Sequence, residues 1–263
     1  MRKLLFAGML LGLVLPVTAY AQSPLDGTWK IDLSKAQLPK KPDVFVLSDG
    51  IYQCRSCKPP YRVKADGADH AVTGHPYYDT VAISVINDNT IKETDKKAGK
   101  VVSSSTTTVA PDGNSLTFDF TDSSNTNGEP VTGSGTATRV AKGPPNSSPI
   151  SGSWHTTSFK SISDNGLTFT YKVEGDTLTM TSPTGQSYTA KMDGTVAPFK
   201  GDPGVTTVSV KKRGDNGIIE SDSRNGVVIG ISTNTVAADG RSMTIAVEDK
   251  LHGTTMLLVA EKQ

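Results

Sequence analysis

Residues 105–117 read "STTTVAPDGNSLT", and residues 232–244 read "STNTVAADGRSMT". In each stretch β-branched residues alternate with small polar ones on both sides of an Asp-Gly pair, Asp112-Gly113 in one and Asp239-Gly240 in the other. Alternation with period two puts successive side chains on opposite faces of a strand, and Asp-Gly supplies the positive φ that a tight reversal needs. Each stretch therefore predicts a β-hairpin. The same signal returns at Asp49-Gly50, Asp66-Gly67, Asn127-Gly128, Asp193-Gly194 and Asn225-Gly226, between segments such as "DTVAISVI", "SLTFDF", "LTFTYKV" and "TTVSVKK". Beyond the N-terminus no amphipathic helical pattern interrupts them, so the fold class is all-β and antiparallel.

Working outward, the two hairpins belong to a longer repeat. With Tyr61 placed on Tyr188 and no gaps as far as Thr117 on Thr244, 24 of 57 positions are identical. "YRVKADG" meets "YTAKMDG", and "DNTIKETD" meets "DNGIIESD". Further upstream, Gly27-Thr28-Trp29 is echoed by Gly152-Ser153-Trp154. The expected organisation is a first repeat over 22–141, a Pro/Ser-rich linker over 142–151 ("KGPPNSSPIS") and a second repeat over 152–263. An antiparallel unit of this size loses its exposed edges most simply by closing on itself. Two tandem up-and-down β-barrels are therefore expected, with β-sandwiches as the alternative.

Residues 1–21 have the layout of a cleavable signal peptide: a basic start (Arg2, Lys3), an apolar run over 4–17, and an A-x-A ending at Ala21. Export to the periplasm or the exterior follows as an expectation, with cleavage after Ala21. Removing Arg2 and Lys3 leaves 25 basic against 26 acidic residues. Without a basic surplus to neutralise phosphates, nucleic acid is not an expected partner. Nor does the mature chain contain an apolar stretch long enough to span a bilayer as a helix.

A G-x-W at the start of the first strand, in "LDGTWKIDLSKA" and "ISGSWHTTSFKS", followed by meandering strands, resembles the lipocalin-like (calycin) barrels and uncharacterised secreted bacterial proteins built from such repeats. The resemblance implies a barrel fold and the binding of small apolar molecules inside it. It further implies a basic residue near the last strand packing over the Trp. Arg139 in "TATRVAK" fits that place, whereas the matching position of the second copy falls near the apolar Leu258.

Two groups of residues carry candidate chemistry. Cys54, Cys57, His70 and His75 have the spacing C-x2-C-x12-H-x4-H of a zinc finger. Gly74 and Pro76, however, stand where the finger's helix would run, and the second copy lacks all four residues. In an oxidising compartment a local Cys54–Cys57 disulfide is the expected state, with a redox pair or a metal site on the same residues as alternatives. No cofactor is expected. The second group is the acidic pair present in both copies, Glu93 with Asp95 and Glu220 with Asp222. On a strand these carboxylates share a face with Ile91 and Ile218, which would bring them towards a barrel mouth. Lys64 and Lys191 could pair with them, and Tyr61 and Tyr188 are candidate wall residues. Such a set can anchor a ligand head group or work as an acid/base pair, but it can equally be an ion pair closing a hairpin.

Three functions remain open on the sequence. The first is binding of a small apolar or amphipathic molecule inside a barrel. The second is hydrolysis or isomerisation of a small ester, lactone or lipid-like substrate by carboxylate, Lys or His groups at a barrel mouth. The third is a structural or interaction role in the cell envelope.

Overall fold

The computed structural model describes residues 23–263; the expected signal peptide lies outside the described residues. The chain opens with strand β1 (Gly27–Ile31) and a 3-10 turn (Leu33–Lys35). It continues through β2 (Asp43–Ser48), β3 (Ile51–Cys54), β4 (Tyr61–Lys64), β5 (His70–Ala71), β6 (Thr80–Asn87), β7 (Thr90–Lys97), β8 (Lys100–Val109), β9 (Ser115–Asp122), β10 (Val131–Lys142) and β11 (Gly152–Ile162). A second 3-10 turn (Asp164–Gly166) leads into β12 (Thr168–Glu174), β13 (Thr177–Thr181), β14 (Ser187–Lys191), β15 (Asp193–Pro198) and β16 (Thr207–Lys212). The last strands are β17 (Gly217–Arg224), β18 (Val227–Val236), β19 (Ser242–Asp249) and β20 (Thr254–Lys262). All pairings are antiparallel, and the strands form two ten-stranded, nearly closed barrel-like sheets. Their ends meet through a few backbone bonds, Gly67 N–H to Ile83 O (2.9 Å) in one and the Ser187–Lys200 bridge in the other. Among the described residues no helix is long and apolar enough to cross a membrane.

The sheets do not follow the repeat boundary. In the first barrel the order runs β4-β3-β2-β11-β10 and on to β5; in the second it runs β14-β13-β12-β1-β20 and on to β15. Each copy's first strand has thus been exchanged into the other copy's sheet. The sheets therefore do not coincide with repeat units 22–141 and 152–263. The physical reason lies in the linker. Residues 143–151 turn back on themselves, with Ser151 N–H bonded to Ser148 O (2.8 Å), so β11 returns antiparallel beside β10. That fills the place β1 would otherwise take, and β1 fills the equivalent gap between β12 and β20.

The exchange preserves the same end plug in both barrels. Trp29 and Trp154 are fully buried, and each indole Nε1 donates to the carbonyl four residues earlier, Leu25 and Ile150, at 2.9 Å. A cation covers each ring: the Arg139 guanidinium lies 3.9 Å from the Trp154 ring centre, and the Lys262 ammonium 5.1 Å from that of Trp29. The glycine of G-x-W makes room for the cation. Gly27 and Gly152 have φ of +131° and +144°, and a Cβ there would lie 2.6 Å from Lys262 Cε or from an Arg139 nitrogen. Both halves therefore carry the basic residue. Leu258 is not its counterpart, because the β19–β20 turn is four residues shorter than the β9–β10 loop and moves the match to Lys262.

The open ends of the barrels face each other, and the chain crosses between them there. Tyr77, between β5 and β6, donates to Asp202 Oδ1 of the equivalent second-copy loop (2.9 Å). The longer β9–β10 loop also reaches across: Thr126 N–H bonds Gly201 O at 3.4 Å and Asn127 Nδ2 bonds Pro183 O at 3.1 Å.

Candidate functional site

The strands "TIKETDKK" (β7) and "GIIESDSR" (β17) are amphipathic with period two. Ile91 and Ile218 are buried, so Glu93 and Asp95, and Glu220 and Asp222, point the same way, into the barrels. In the first barrel Glu93 is capped by two phenols, Tyr61 OH to Oε1 (2.5 Å) and Tyr52 OH to Oε2 (3.5 Å). Asp95 accepts from Ser103 Oγ (2.6 Å) through Oδ2, and its buried Oδ1 has no protein partner. Burial, with the neighbouring Asp95, raises Glu93 against its two phenol bonds; burial likewise raises Asp95 against the Ser103 bond. Around them His75 stacks on Tyr78 with ring centres 4.6 Å apart, and Tyr61 meets the His75 edge at 5.6 Å. Aromatic rings thus occupy the first barrel at this level. The cavity beside them, lined by Tyr78, Asp95, Ser103 and Asp122 among others, is about 180 Å³.

The second barrel is built differently around the same acid pair. Strand register places Leu178, Met180, Asp202, Val205 and Ile245 where the first copy has Tyr52, Cys54, His75, Tyr78 and Phe118. All but Met180 are smaller or more slender than their counterparts, and the second barrel holds a cavity of about 550 Å³, within the range of small-molecule sites. Phe169, Met180, Phe199, Ile245 and Leu167 supply its apolar wall, and Glu220, Asp222, Asn234 and Tyr188 its polar one. First-copy residues Tyr77, Phe120, Asp122, Asn125 and Val131 close its mouth.

Hydrogen bonding holds Glu220 in place. Its Oε2 accepts from Tyr171 OH (2.9 Å), Asn234 Nδ2 (2.7 Å) and Ser232 Oγ (3.1 Å). Burial raises its pKa and these three donors oppose the rise. Asp222 is pushed up to about 7 by burial, then by the negative charges of Glu220 and Asp202. Two deeply buried polar atoms of this wall's side chains have no partner among the described residues, the Tyr188 hydroxyl and Asn234 Oδ1. An orphaned buried polar group costs about 1–3 kcal/mol, so both mark this wall as the less satisfied side of the barrel.

The structure brings Tyr61 together with Glu93, and places Tyr188 and Glu220 in one cavity wall. It does not bring the lysines there. On β4 the inward residues are Tyr61 and Val63, which leaves Lys64 exposed; on β14 Tyr188 and Ala190 point in and Lys191 is exposed. Ion pairing of Lys64 or Lys191 with the buried carboxylates is ruled out by this parity. The four zinc-finger residues are not one set either. Cys54 and Cys57 are disulfide-bonded, His70 Nε2 pairs with Asp66 (2.8 Å), and His75 lies in the aromatic stack. Sequence reading passed over Tyr171, Ser232 and Asn234. Asn234 did carry a signal, since it stands on the inward face of "STNTV" two residues from the buried Val236.

Compared with known proteins, the chain matches no family model and no curated relative.

Proposed function

We propose that this protein binds a small apolar or amphipathic molecule within its second barrel, and that it does so outside the cytoplasm after cleavage behind Ala21. One observation carries the reading. The second barrel holds a cavity of about 550 Å³ between an apolar wall and a few convergent polar groups, two of which carry an atom without a partner among the described residues. The Trp plug with its covering cation, present in both barrels, supports the likeness to lipocalin-like proteins, which hold ligands in such interiors.

The neutral fluorophore N-phenyl-1-naphthylamine tests the proposal. It should bind the wild-type protein with a fluorescence gain and one site per chain. Met180→Trp, which fills the cavity from its wall, should abolish binding without unfolding the protein. An unchanged affinity in Met180→Trp would place the probe elsewhere and defeat the reading. So would the absence of probe binding together with the absence of a co-purifying small molecule in native mass spectrometry.

A second reading, hydrolysis or isomerisation of a small ester or lactone, draws on Asp222. Its carboxyl, pushed up to about 7, is matched to proton transfer near neutral pH. Turnover of 4-nitrophenyl butyrate that disappears in Asp222→Asn would favour it over simple binding.

A further inference from the structure

The polar wall of the second barrel is one-sided. Four carboxylates line the cavity, Glu220 and Asp222 inside and Asp202 and Asp122 at the mouth, and among the described residues no Lys, Arg or His lines it with them. The nearest cation on the same strand, Arg224, spends its Nε on the Gly204 carbonyl (2.6 Å). Glu220 and Asp202 already receive protein donors, and Asp122 receives the Ser124 amide at 2.8 Å. Asp222, by contrast, draws no side-chain donor.

Two buried polar atoms on this wall's side chains lack a partner among the described residues. Asn234 is 2 % exposed; its amide nitrogen is committed to Glu220 and Tyr171, so the open atom is the acceptor Oδ1. Tyr188 is 4 % exposed, and its hydroxyl can also accept. A wall of unsatisfied acceptors and carboxylates is complementary to a group that brings both N–H donors and positive charge. Opposite it, Met180, Phe169, Phe199 and Ile245 suit an apolar body.

We propose that the ligand of the second barrel is a cationic amphiphile, an alkyl or aryl-alkyl amine whose ammonium group meets Asp222, on the wall that Asn234 and Tyr188 share, while its apolar body lies against the Met180 and Ile245 side. This deepens the reading of the second barrel as a small-molecule site and rests on it. Charge-assisted hydrogen bonds in a partly dry site are roughly twice as strong as neutral ones, so the amine should be preferred clearly over its neutral isostere. The site is also proton-competitive. The groups around Asp222 are Glu220 on its own strand, Asp202 from the β15–β16 connection and Tyr171 on β12. The acids among them favour a proton on Asp222 when no cation is present, and a bound ammonium would displace that proton.

The test is competition against N-phenyl-1-naphthylamine at pH 8 by 4-phenylbutylamine, 4-phenylbutan-1-ol and 4-phenylbutanoate. The expected result is that the amine binds about tenfold or more tightly than the alcohol, with the carboxylate weakest. The preference should shrink at pH 5.5. Asp222→Asn should bring the amine to within about threefold of the alcohol, and a near-ultraviolet circular dichroism spectrum matching the wild type reports that the variant is folded. Equal binding of amine and alcohol would overturn the cation preference while leaving the small-molecule reading intact. A preference that survives in Asp222→Asn would overturn the assignment of the ammonium to Asp222. If the naphthylamine and all three competitors fail to bind, the small-molecule reading itself falls.

Discussion

Replacing Asp222 by Asn should make the protein's stability less dependent on pH, and the size of the effect follows from where the carboxyl sits. Its ordinary value is 3.8, and burial with Glu220 and Asp202 nearby pushes it up to about 7. At 1.36 kcal/mol per tenfold change in proton affinity, ionising it in the folded barrel costs about 4 kcal/mol more than in the unfolded chain. The sign is opposite to that of a salt-bridged acid. From about pH 4 to 7 the native state keeps this proton and the unfolded state has lost it, so stability falls as pH rises and levels off above 7. The amide that Asp222→Asn introduces does not titrate, and the variant should gain on the wild type progressively across that window.

Urea unfolding between pH 4.5 and 8.5, followed by tryptophan fluorescence, measures this directly. Trp29 and Trp154 sit in different barrels, so Trp154→Phe leaves a reporter for the second barrel alone. Wild type and Asp222→Asn should nearly coincide at the acid end and diverge by about 2–4 kcal/mol at the alkaline end. Two parallel curves would refute the reasoning, since they would mean that the folded and unfolded chains hold this proton equally.

Three other outcomes are expected. A fragment of residues 41–162 contains β2 to β11 without a break and should fold to a cooperative barrel, which near-ultraviolet circular dichroism and resistance to proteolysis would show. Arg139→Ala removes the donors to the Gly113, Ser151 (2.6 Å) and Pro149 (2.7 Å) carbonyls and uncovers Trp154, so urea unfolding should show a loss of about 2–4 kcal/mol, against about 1 kcal/mol or less for Lys262→Ala. Gly204→Ala places a Cβ 2.1 Å from the Tyr77 hydroxyl, which must leave Asp202, and stopped-flow dilution should show faster release of a bound naphthylamine.

How far the sequence carried the reading depended on whether the feature was periodic or relational. Alternation on "TIKETDKK" and "GIIESDSR", with Asp-Gly and Asn-Gly turns between strands, predicts the β class and the inward aim of the carboxylates, because period two is local geometry. The strand exchange is relational. Gly27-Thr28-Trp29 and Gly152-Ser153-Trp154 are equivalent, so nothing in either tripeptide says which sheet it joins; the short return of residues 143–151 decides that. Lys64 misled for a different reason: its identity with Lys191 reports common ancestry of the copies, while parity with Tyr61 and Val63 puts it on the outer face. Lys262 was hidden by the unequal length of the last hairpin loops. Cavity size depends on side chains drawn from six or more strands, and no single segment reports it.

The same exchange explains why the two copies can differ so much inside. Because the chain crosses between barrels at their open ends, each mouth is held against the other. The first copy carries Tyr77 where the second has Gly204, and a four-residue longer loop after β9. Both project onto the second barrel, so the first copy supplies part of the second copy's wall. With that role, its own interior is free to be packed with Tyr52, Tyr61, His75 and Tyr78, which restores the buried aromatic area that a hollow barrel forgoes. Exchanging Ile245 for Phe, the first copy's residue at that position, should therefore move the second barrel towards the first. The prediction is weaker naphthylamine binding together with a higher melting temperature, because the ring would enter space that the fold leaves open instead of displacing a packed neighbour. A lower melting temperature in that variant would show that the second interior is already packed to its limit, and the contrast between a filled and a hollow barrel would fail with it.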